Sequence, residues 1–473
     1  MLKQVVIGAG LVGAGLVGGA FGLRYEIGKV ADKQIGAFDA NLPSGVSITY
    51  GGRTISLLSG AVDFTDFTLR RPIGSQELTI TGAGARVEGL YPLLLGLSTK
   101  VQAIKFAGLS VAAFGGQPPG RIERAEFFGV RASSISVPGD PNFQIADMDR
   151  IEIYGISSES GGEKITAQSM KAGSLSQGVL KDVEFTNLAA GVKEPTPAGF
   201  TLRRLLIDHC DLAQLTRSNL ANPSISESTV LAAMNPGLIR GEDLAVEIEN
   251  EGRMTTRVIE VDGFTHAGDM LTGYHFKGDH IGIDGTAELA ATAKASWGLL
   301  GYPTIDASME VTAKFDPEHR IGMVDPLRVS IQDAGTFTLS AHVGNLPSQS
   351  LADAGEEAIS DATDAITVID FTASYEDHSL TKRIEHLLAQ QDGVEDEAWI
   401  ENMSQTLSSV GSKSESAQAI QAAMISFLRQ PGRLTLSMKP DEPISLGQLE
   451  MTAQSVSDPD AIQELLNFTL VAE

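Results

Sequence analysis

Apolar residues recur at every second position through most of this chain, and that period limits what it can fold into. The clearest run is Ile305, Ala307, Met309, Val311, Ala313 and Phe315, separated by Asp306, Ser308, Glu310, Thr312 and Lys314. Successive side chains of a strand point to opposite faces, so such a run makes one apolar and one polar surface. Leu327, Val329 and Ile331 lead through Asp333-Ala334-Gly335 into Phe337, Leu339, Ala341 and Val343, which predicts a hairpin. Val46, Ile48 and Tyr50 alternate before Gly51-Gly52, with Ile55 and Leu57 after it, so a second hairpin is expected there. The 50 glycines and 6% aromatic content fit many short strands joined by tight turns.

Three segments look alike: Gly60-Ala61-Val62-Asp63-Phe64-Thr65-Asp66-Phe67, the stretch from Leu180 to Leu188, and the stretch from Leu205 to Leu212. Each joins an apolar strand to an acidic residue and a further apolar one. A long sheet that grows by adding similar strands produces this, and so does any antiparallel sheet. Pro92 with Leu90, Leu93, Leu94, Leu95 and Leu97 reads as a short apolar helix or loop.

Composition shifts between Gly344 and Asp364, which places a boundary near residue 350. Beyond it, Ile369, Phe371, Ala373 and Tyr375 form a strand, and Ser379 caps a helix carrying Leu380, Ile384, Leu387 and Leu388. Helices are expected near 398–407 and 416–428, with strands at Leu434–Met438 and at Leu449, Met451 and Ala453. A short helix follows Asp458-Pro459, and Phe468–Val471 ends the chain as a strand. The chain is therefore mainly β: an extended antiparallel β-sheet body over 31–350 and an acidic α+β module over 351–473. An N-terminal transmembrane helix is expected in 1–30.

That helix rests on Val5 to Leu23, which carries no charge between Lys3 and Arg24. Nineteen helical residues span about 28 Å, close to a bilayer's hydrocarbon thickness. Gly15, Gly18, Gly19 and Gly22 form two pairs spaced four apart, a face that lets a partner helix approach closely. Gly8-Ala9-Gly10-Leu11-Val12-Gly13 also spells a dinucleotide-binding turn. The polar stretch from Arg24 to Asp32 lacks the second strand that such a unit needs. A cleaved signal peptide, cut near Ala20 or Gly22, is the remaining alternative. Basic residues on both sides, Lys3 against Arg24, Lys29 and Lys33, leave orientation open by charge. The long body behind a very short N-terminal tail favours export.

Net charge is −25, and residues 351–473 hold 22 acidic against 6 basic side chains, a net of −16. A phosphate backbone would be repelled, so no nucleic-acid partner is expected. Cys210 is the only cysteine, which excludes an internal disulfide and a four-cysteine zinc site.

The stretch Tyr375-Glu376-Asp377-His378-Ser379-Leu380-Thr381-Lys382-Arg383, with Pro431-Gly432-Arg433-Leu434-Thr435-Leu436 and Pro440-Asp441-Glu442-Pro443, resembles uncharacterised alphaproteobacterial envelope proteins. The strand-rich body behind an N-terminal span is loosely similar to AsmA-like and YdgA-like proteins. The AsmA likeness implies a membrane anchor and a long curved sheet with an apolar groove involved in lipid movement. It brings no catalytic residue.

Tyr274-His275-Phe276-Lys277-Gly278-Asp279-His280, with His266 and Asp284 nearby, is the one cluster with metal-ligand chemistry, yet alternation sends His275 and His280 to opposite faces. His209, Cys210 and Asp211 are consecutive and cannot converge from one strand. Ser379-Leu380-Thr381-Lys382 matches the S-x-x-K pattern of serine acylases without its companion motifs, so Ser379 reads as a helix cap. No catalytic, cofactor-binding or metal-binding residue is expected. The expected function is a non-enzymatic protein of the bacterial inner membrane, single-pass, with its body in the periplasm. It would bind or conduct lipid, including a phospholipid ligand, along an apolar sheet groove. An envelope scaffold for protein partners is the alternative.

Overall fold

The computed structural model describes residues 47–56, 61–73, 76–89, 100–112, 120–131, 136–137, 140–144, 146–160, 162–192, 198–215, 227–248, 252–268, 270–284, 288–302, 304–346, 363–409, 415–455 and 466–473. The chain is mainly β and its strands pair antiparallel. It divides into two compact units, one reaching to Glu249 and taking in 269–271, the other comprising 250–268 and 272–473. Among the described residues no helix is long and apolar enough to cross a membrane. The span expected over Val5–Leu23, with Gly15, Gly18, Gly19 and Gly22, lies outside the described residues. So do the Gly8–Gly13 turn, the Leu90–Leu97 segment, the boundary near 350 and the helix at Asp458-Pro459.

The N-terminal unit holds β1 (Ser47–Thr49), β2 (Gly52–Ile55), β3 (Val62–Ile73), β4 (Gln76–Glu88), β5 (Val101–Ala112) and β6 (Gly120–Val130). A small pair follows, β7 (Ser136–Val137) with β8 (Asp140–Gln144). The sheet resumes with β9 (Arg150–Ser160), β10 (Glu163–Ala172), β11 (Ser174–Ser176), β12 (Val179–Val192), β13 (Ala198–Asp211) and β14 (Leu238–Ile248), with helix α1 (Glu227–Met234) before β14. Strands β3-β4-β5-β6-β9-β10-β12-β13-β14 pair in that order.

The hairpin expected around Gly51-Gly52 does not form. Strands β1 and β2 both pair with β3 in one continuous register, Ser47 opposite Arg70 and Ile55 opposite Val62, so they are one interrupted strand. Glycine stands at the interruption because the Asp66 side chain leans on it: a Cβ on Gly51 would lie 3.2 Å from Asp66 Cβ.

Asp66 marks a line that crosses the sheet from β3 to β14. On β3 the apolar positions are Val62 and Phe64, then Phe67 and Leu69, a step of three where a strand's period demands two. The same step separates Phe106 from Leu109 on β5, Ile153 from Ile156 on β9, and Phe185 from Leu188 on β12. On alternate strands the extra residue is left-handed: Asp66 (φ 50), Gly108 (φ 61), Gly155 (φ 63), Asn187 (φ 48) and Asp243 (φ 53). Only Gly, Asn and Asp enter that region at low cost, and these five are all of that kind. The step keeps apolar side chains on one face along the full strand. Phe67 on one side of the line meets Phe106 on the other with ring centroids 5.6 Å apart, over side-chain-free Gly82.

The resulting core is closed. Phe127, Ile153, Phe185 and Ile207 are almost wholly buried, in a cluster running from β3 to β13. On the opposite face, Asp63, Arg86, Lys105, Glu126, Glu152, Lys171 and Glu184 stand directly opposite one another across seven strands. The like pair Glu126 and Glu152 is relieved by Arg124 and Arg150, at 3.6 and 3.2 Å.

The C-terminal unit contains β15 (Gly252–Ala267), β16 (Met270–Asp284), α2 (Glu288–Leu299), β17 (Ala307–Asp316), β18 (Ile321–Ile331), β19 (Gly335–Gly344) and β20 (Thr367–Asp377). Helices α3 (Leu380–Asp392), α4 (Asp396–Ser409) and α5 (Glu415–Arg429) follow, then β21 (Arg433–Met438), β22 (Ile444–Ser445), α6 (Leu446–Ser455) and β23 (Phe468–Ala472). The sheet order is β16-β17-β18-β19-β20-β21-β23, with the β18–β19 hairpin turning through Asp333 as expected. Leu449, Met451 and Ala453, expected as strand, lie in α6. The Ser445 Oγ accepts from Gln448 N and Gln448 Oε1 accepts from Ser445 N, both at 3.1 Å, a reciprocal helix start that outweighs the alternation.

Asn187 tests the left-handed line. Asn187→Val should lower unfolding stability in urea by about 1–2 kcal/mol, whereas Asn187→Gly should stay within roughly 0.5 kcal/mol of wild type. Equal losses from both would mean that the conformation is not what selects the residue.

Candidate functional site

Directly paired residues of an antiparallel sheet share a face, so the registers of the C-terminal unit assign its two surfaces. One row runs Phe276, Val311, Leu327, Leu339, Ala373, Leu436 and Leu470. A neighbouring row runs Tyr274, Ala313, Val324, Ala341, Phe371, Met438 and Phe468, and Met309, Val329, Phe337, Tyr375 and Leu434 make a third. The reverse surface carries His275, Lys277, Glu310, Arg328, Thr338, Ser374 and Thr435. Seven strands at ~4.8 Å spacing make the apolar face about 29 Å wide.

This face is open where the N-terminal core is closed. Phe337 is 40% and Tyr274 37% exposed, and Val311, Leu327, Leu339 and Ala341 are half-buried. At the β20–β23 end it is covered: α5 lies against β21 and β23, and buried Phe427 meets Tyr375 at 6.2 Å. Between β16 and β19 it forms a half-buried apolar floor.

The conspicuous residues of the C-terminal stretch build the junction beside that floor. The Tyr375 hydroxyl donates to Asp377 Oδ1 at 2.8 Å, and the same oxygen accepts from Thr381 N and Thr381 Oγ1, each at 2.8 Å. Burial, with the neighbouring Asp377 carboxylate, pushes the Tyr375 hydroxyl well above the usual tyrosine range. Ser379, expected to cap α3, makes no capping bond; it donates to Asp333 O at 2.6 Å and lies 2.8 Å from Tyr302 Oη. Asp377 takes the capping role instead, because the Ser379 hydroxyl is held by the β18–β19 turn. Arg383 donates to Leu300 O at 2.8 Å with its guanidinium over the Tyr302 ring. Arg433 pairs with Glu376 at 2.8 Å, and the Asp377 N–H donates to Gly432 O. Ser379 and Lys382 are therefore structural, and Lys382 donates to Leu428 O.

The other titratable candidates do not converge. His275 bridges Asp262 and Glu310, whereas His280, left-handed beyond a bulge, meets Asp306 at 2.9 Å. Cys210 is buried and its thiol is pushed up to about 12 by that burial, then by Asp211, which disfavours the thiolate. His209 pairs instead with Asp208 at 3.0 Å. Among the described residues no group of three or more His, Cys, Asp or Glu could hold a metal ion. A cleft of about 600 Å³ in the N-terminal unit is lined by Lys100, Asp149, Arg150 and Phe128, among others. Its charged lining is paired: Lys100 and the nearby Arg131 hold Asp149 at 2.5 and 2.6 Å, and Arg150 holds Glu152.

Glu385 on α3 is a buried carboxylate beside Lys382. It is 2% exposed, and neither carboxyl oxygen has a hydrogen-bond partner; Lys382 Nζ comes within 2.8 Å of Oε2 but off the bonding direction. Burial pushes its carboxyl above the usual glutamate range, against the opposing pull of Lys382. The raised value means that the folded state favours the neutral acid, so this penalty grows as pH rises through it. Glu385→Gln should therefore stabilise the protein at neutral pH by about 1 kcal/mol or more, with the gain vanishing in acid, as followed by thermal unfolding against pH. Asp377→Ala should cost about 1 kcal/mol by the same measurement.

A family model described as "Uncharacterized protein" matches residues 328–473, from Arg328 in β18 through β23 and thus the whole junction built by Tyr375 to Arg383. A comparison with curated proteins finds no match for the chain.

Proposed function

We propose that this chain is a non-enzymatic, membrane-anchored envelope protein that binds or conducts lipid acyl chains along the apolar face of its C-terminal unit. The observation that carries the reading is the half-exposed floor between β16 and β19, continuous across Phe276, Val311, Leu327 and Leu339. A face of this size normally marks a ligand or partner surface, since water is a poor neighbour for it. The Val5–Leu23 segment is the anchor in this reading, placing the body on the periplasmic side of a bacterial inner membrane, with Gly15, Gly18, Gly19 and Gly22 offered to a helix partner. The AsmA-like resemblance points the same way, toward phospholipid.

Extraction of the full-length protein in detergent, followed by mass spectrometry of the intact chain and its lipids, tests this. The expected result is an uncleaved chain carrying phospholipid, and a drop in retained lipid of roughly tenfold in Leu339→Glu, whose charge would enter the floor. A chain trimmed near residue 20, or one free of lipid whose Leu339→Glu variant behaves identically, would sink the proposal and leave the protein-partner scaffold ahead.

A further inference from the structure

The polar side of β16 carries a contact that bears on how the floor is held. His275 Nδ1 lies 2.9 Å from Asp262 Oδ1 on β15, and its Nε2 lies 3.2 Å from Glu310 Oε1 on β17. A neutral imidazole has one N–H and one lone pair, so it can donate to only one carboxylate and turns its lone pair on the other. Only the imidazolium donates to both. The arrangement is therefore a three-strand tie that exists in full only while the ring carries two protons. The charged groups around it are Asp262 and Glu260 on β15, Lys277 on β16, Glu310 and Lys314 on β17, and Arg328 opposite Glu310 on β18. Thr312 stands directly opposite His275. Tyr274 and Phe276 flank His275 in sequence and point to the other side, and Val311 lies between Glu310 and Thr312. The tie is thus one residue away from the apolar floor on β16 and on β17.

We propose that the proton on His275 is a switch for that floor, holding β15, β16 and β17 together for an aliphatic ligand at lower pH and loosening them as pH rises. This inference rests on the lipid reading of the apolar face. Its direction follows from the flanking carboxylates: chiefly through the bond to Asp262, then that to Glu310, they raise the ring's affinity for its proton above the ordinary histidine value. A group bound more tightly to its proton in the folded state stabilises that state below the ordinary value, and the contribution is lost as pH rises through the higher folded one. The window therefore begins near neutral pH and extends upward.

Hydrogen exchange of the full-length protein in detergent, corrected for intrinsic rate, reads the tie without any ligand. From about pH 6 to about pH 9, amides in 252–284 and 307–316 should lose protection by about tenfold in wild type and by less than about twofold in His275→Gln. Asp262→Asn, which keeps the shape and removes one charge, should move the midpoint toward that of an ordinary imidazole. In parallel, a fluorescent polyene fatty acid should bind less tightly across the same pH range, with the same midpoint. The same pH profile in wild type and His275→Gln would overturn the tie. A profile lost in the variant while probe affinity stays flat with pH would overturn its coupling to the floor. No probe binding at any pH, with the exchange step intact, would overturn the lipid reading and leave the tie standing.

Discussion

Everything described here depends on the one-sided character of each strand. Period-two alternation gives every strand an apolar and a polar side, and antiparallel pairing adds these sides into continuous surfaces. A slip of a single residue in any register would send that strand's apolar set into water, so the face itself enforces the pairing. In the N-terminal unit the enforcement is nearly complete, with Leu69, Ile80, Phe127 and Phe185 withdrawn from solvent. In the C-terminal unit the same logic produces a face on which helix α5 lies toward β21 and β23.

How much of this is legible in the sequence depends on whether a feature is local. The hairpin through Asp333 appears as read, and the run from Ile305 to Phe315 does so from Ala307 onward, since alternation and turn chemistry sit within a dozen residues. Helices α3, α4 and α5 appear close to their expected places because their apolar spacing and the Pro431-Gly432 stop are local too. The left-handed line is not legible strand by strand. Asp66, Asn187 and Asp243 look like ordinary polar residues until the registers set them level with Gly108 and Gly155. The likeness between 60–67 and 180–188 is partly a trace of that line, since they contain Asp66 and Asn187. Gly51-Gly52 misleads for the same reason, Gly51 answering to Asp66 and Gly52 to Thr65 across the sheet rather than to a turn.

The candidate site shows the same division. The apolar floor is written in alternation, but its exposure is tertiary and no window of sequence reports it. Ser379 obeys a cap rule and is nonetheless diverted by a carbonyl 46 positions away, at Asp333. Helices α1 and α2 escaped notice within a body read as strands, and α6 was hidden behind alternation although Ser445 and Gln448 announce it. The matched segment, 328–473, takes in the covered end of the apolar face together with the junction that supports it. Its conspicuous residues Tyr375, Asp377, Ser379 and Gly432 bond to one another or to the β18–β19 turn.

The alternation of handedness along the crossing line also limits how such a sheet can change in size. Left-handed residues sit on β3, β5, β9, β12 and β14, with ordinary extended residues on the strands between them. Losing one strand would set two left-handed positions side by side, or two extended ones, and the bend would no longer run level. Losing or gaining a whole hairpin preserves the rhythm. A lineage built on this plan would therefore lengthen or shorten in even steps, each new pair of strands arriving with one Gly, Asn or Asp already in place.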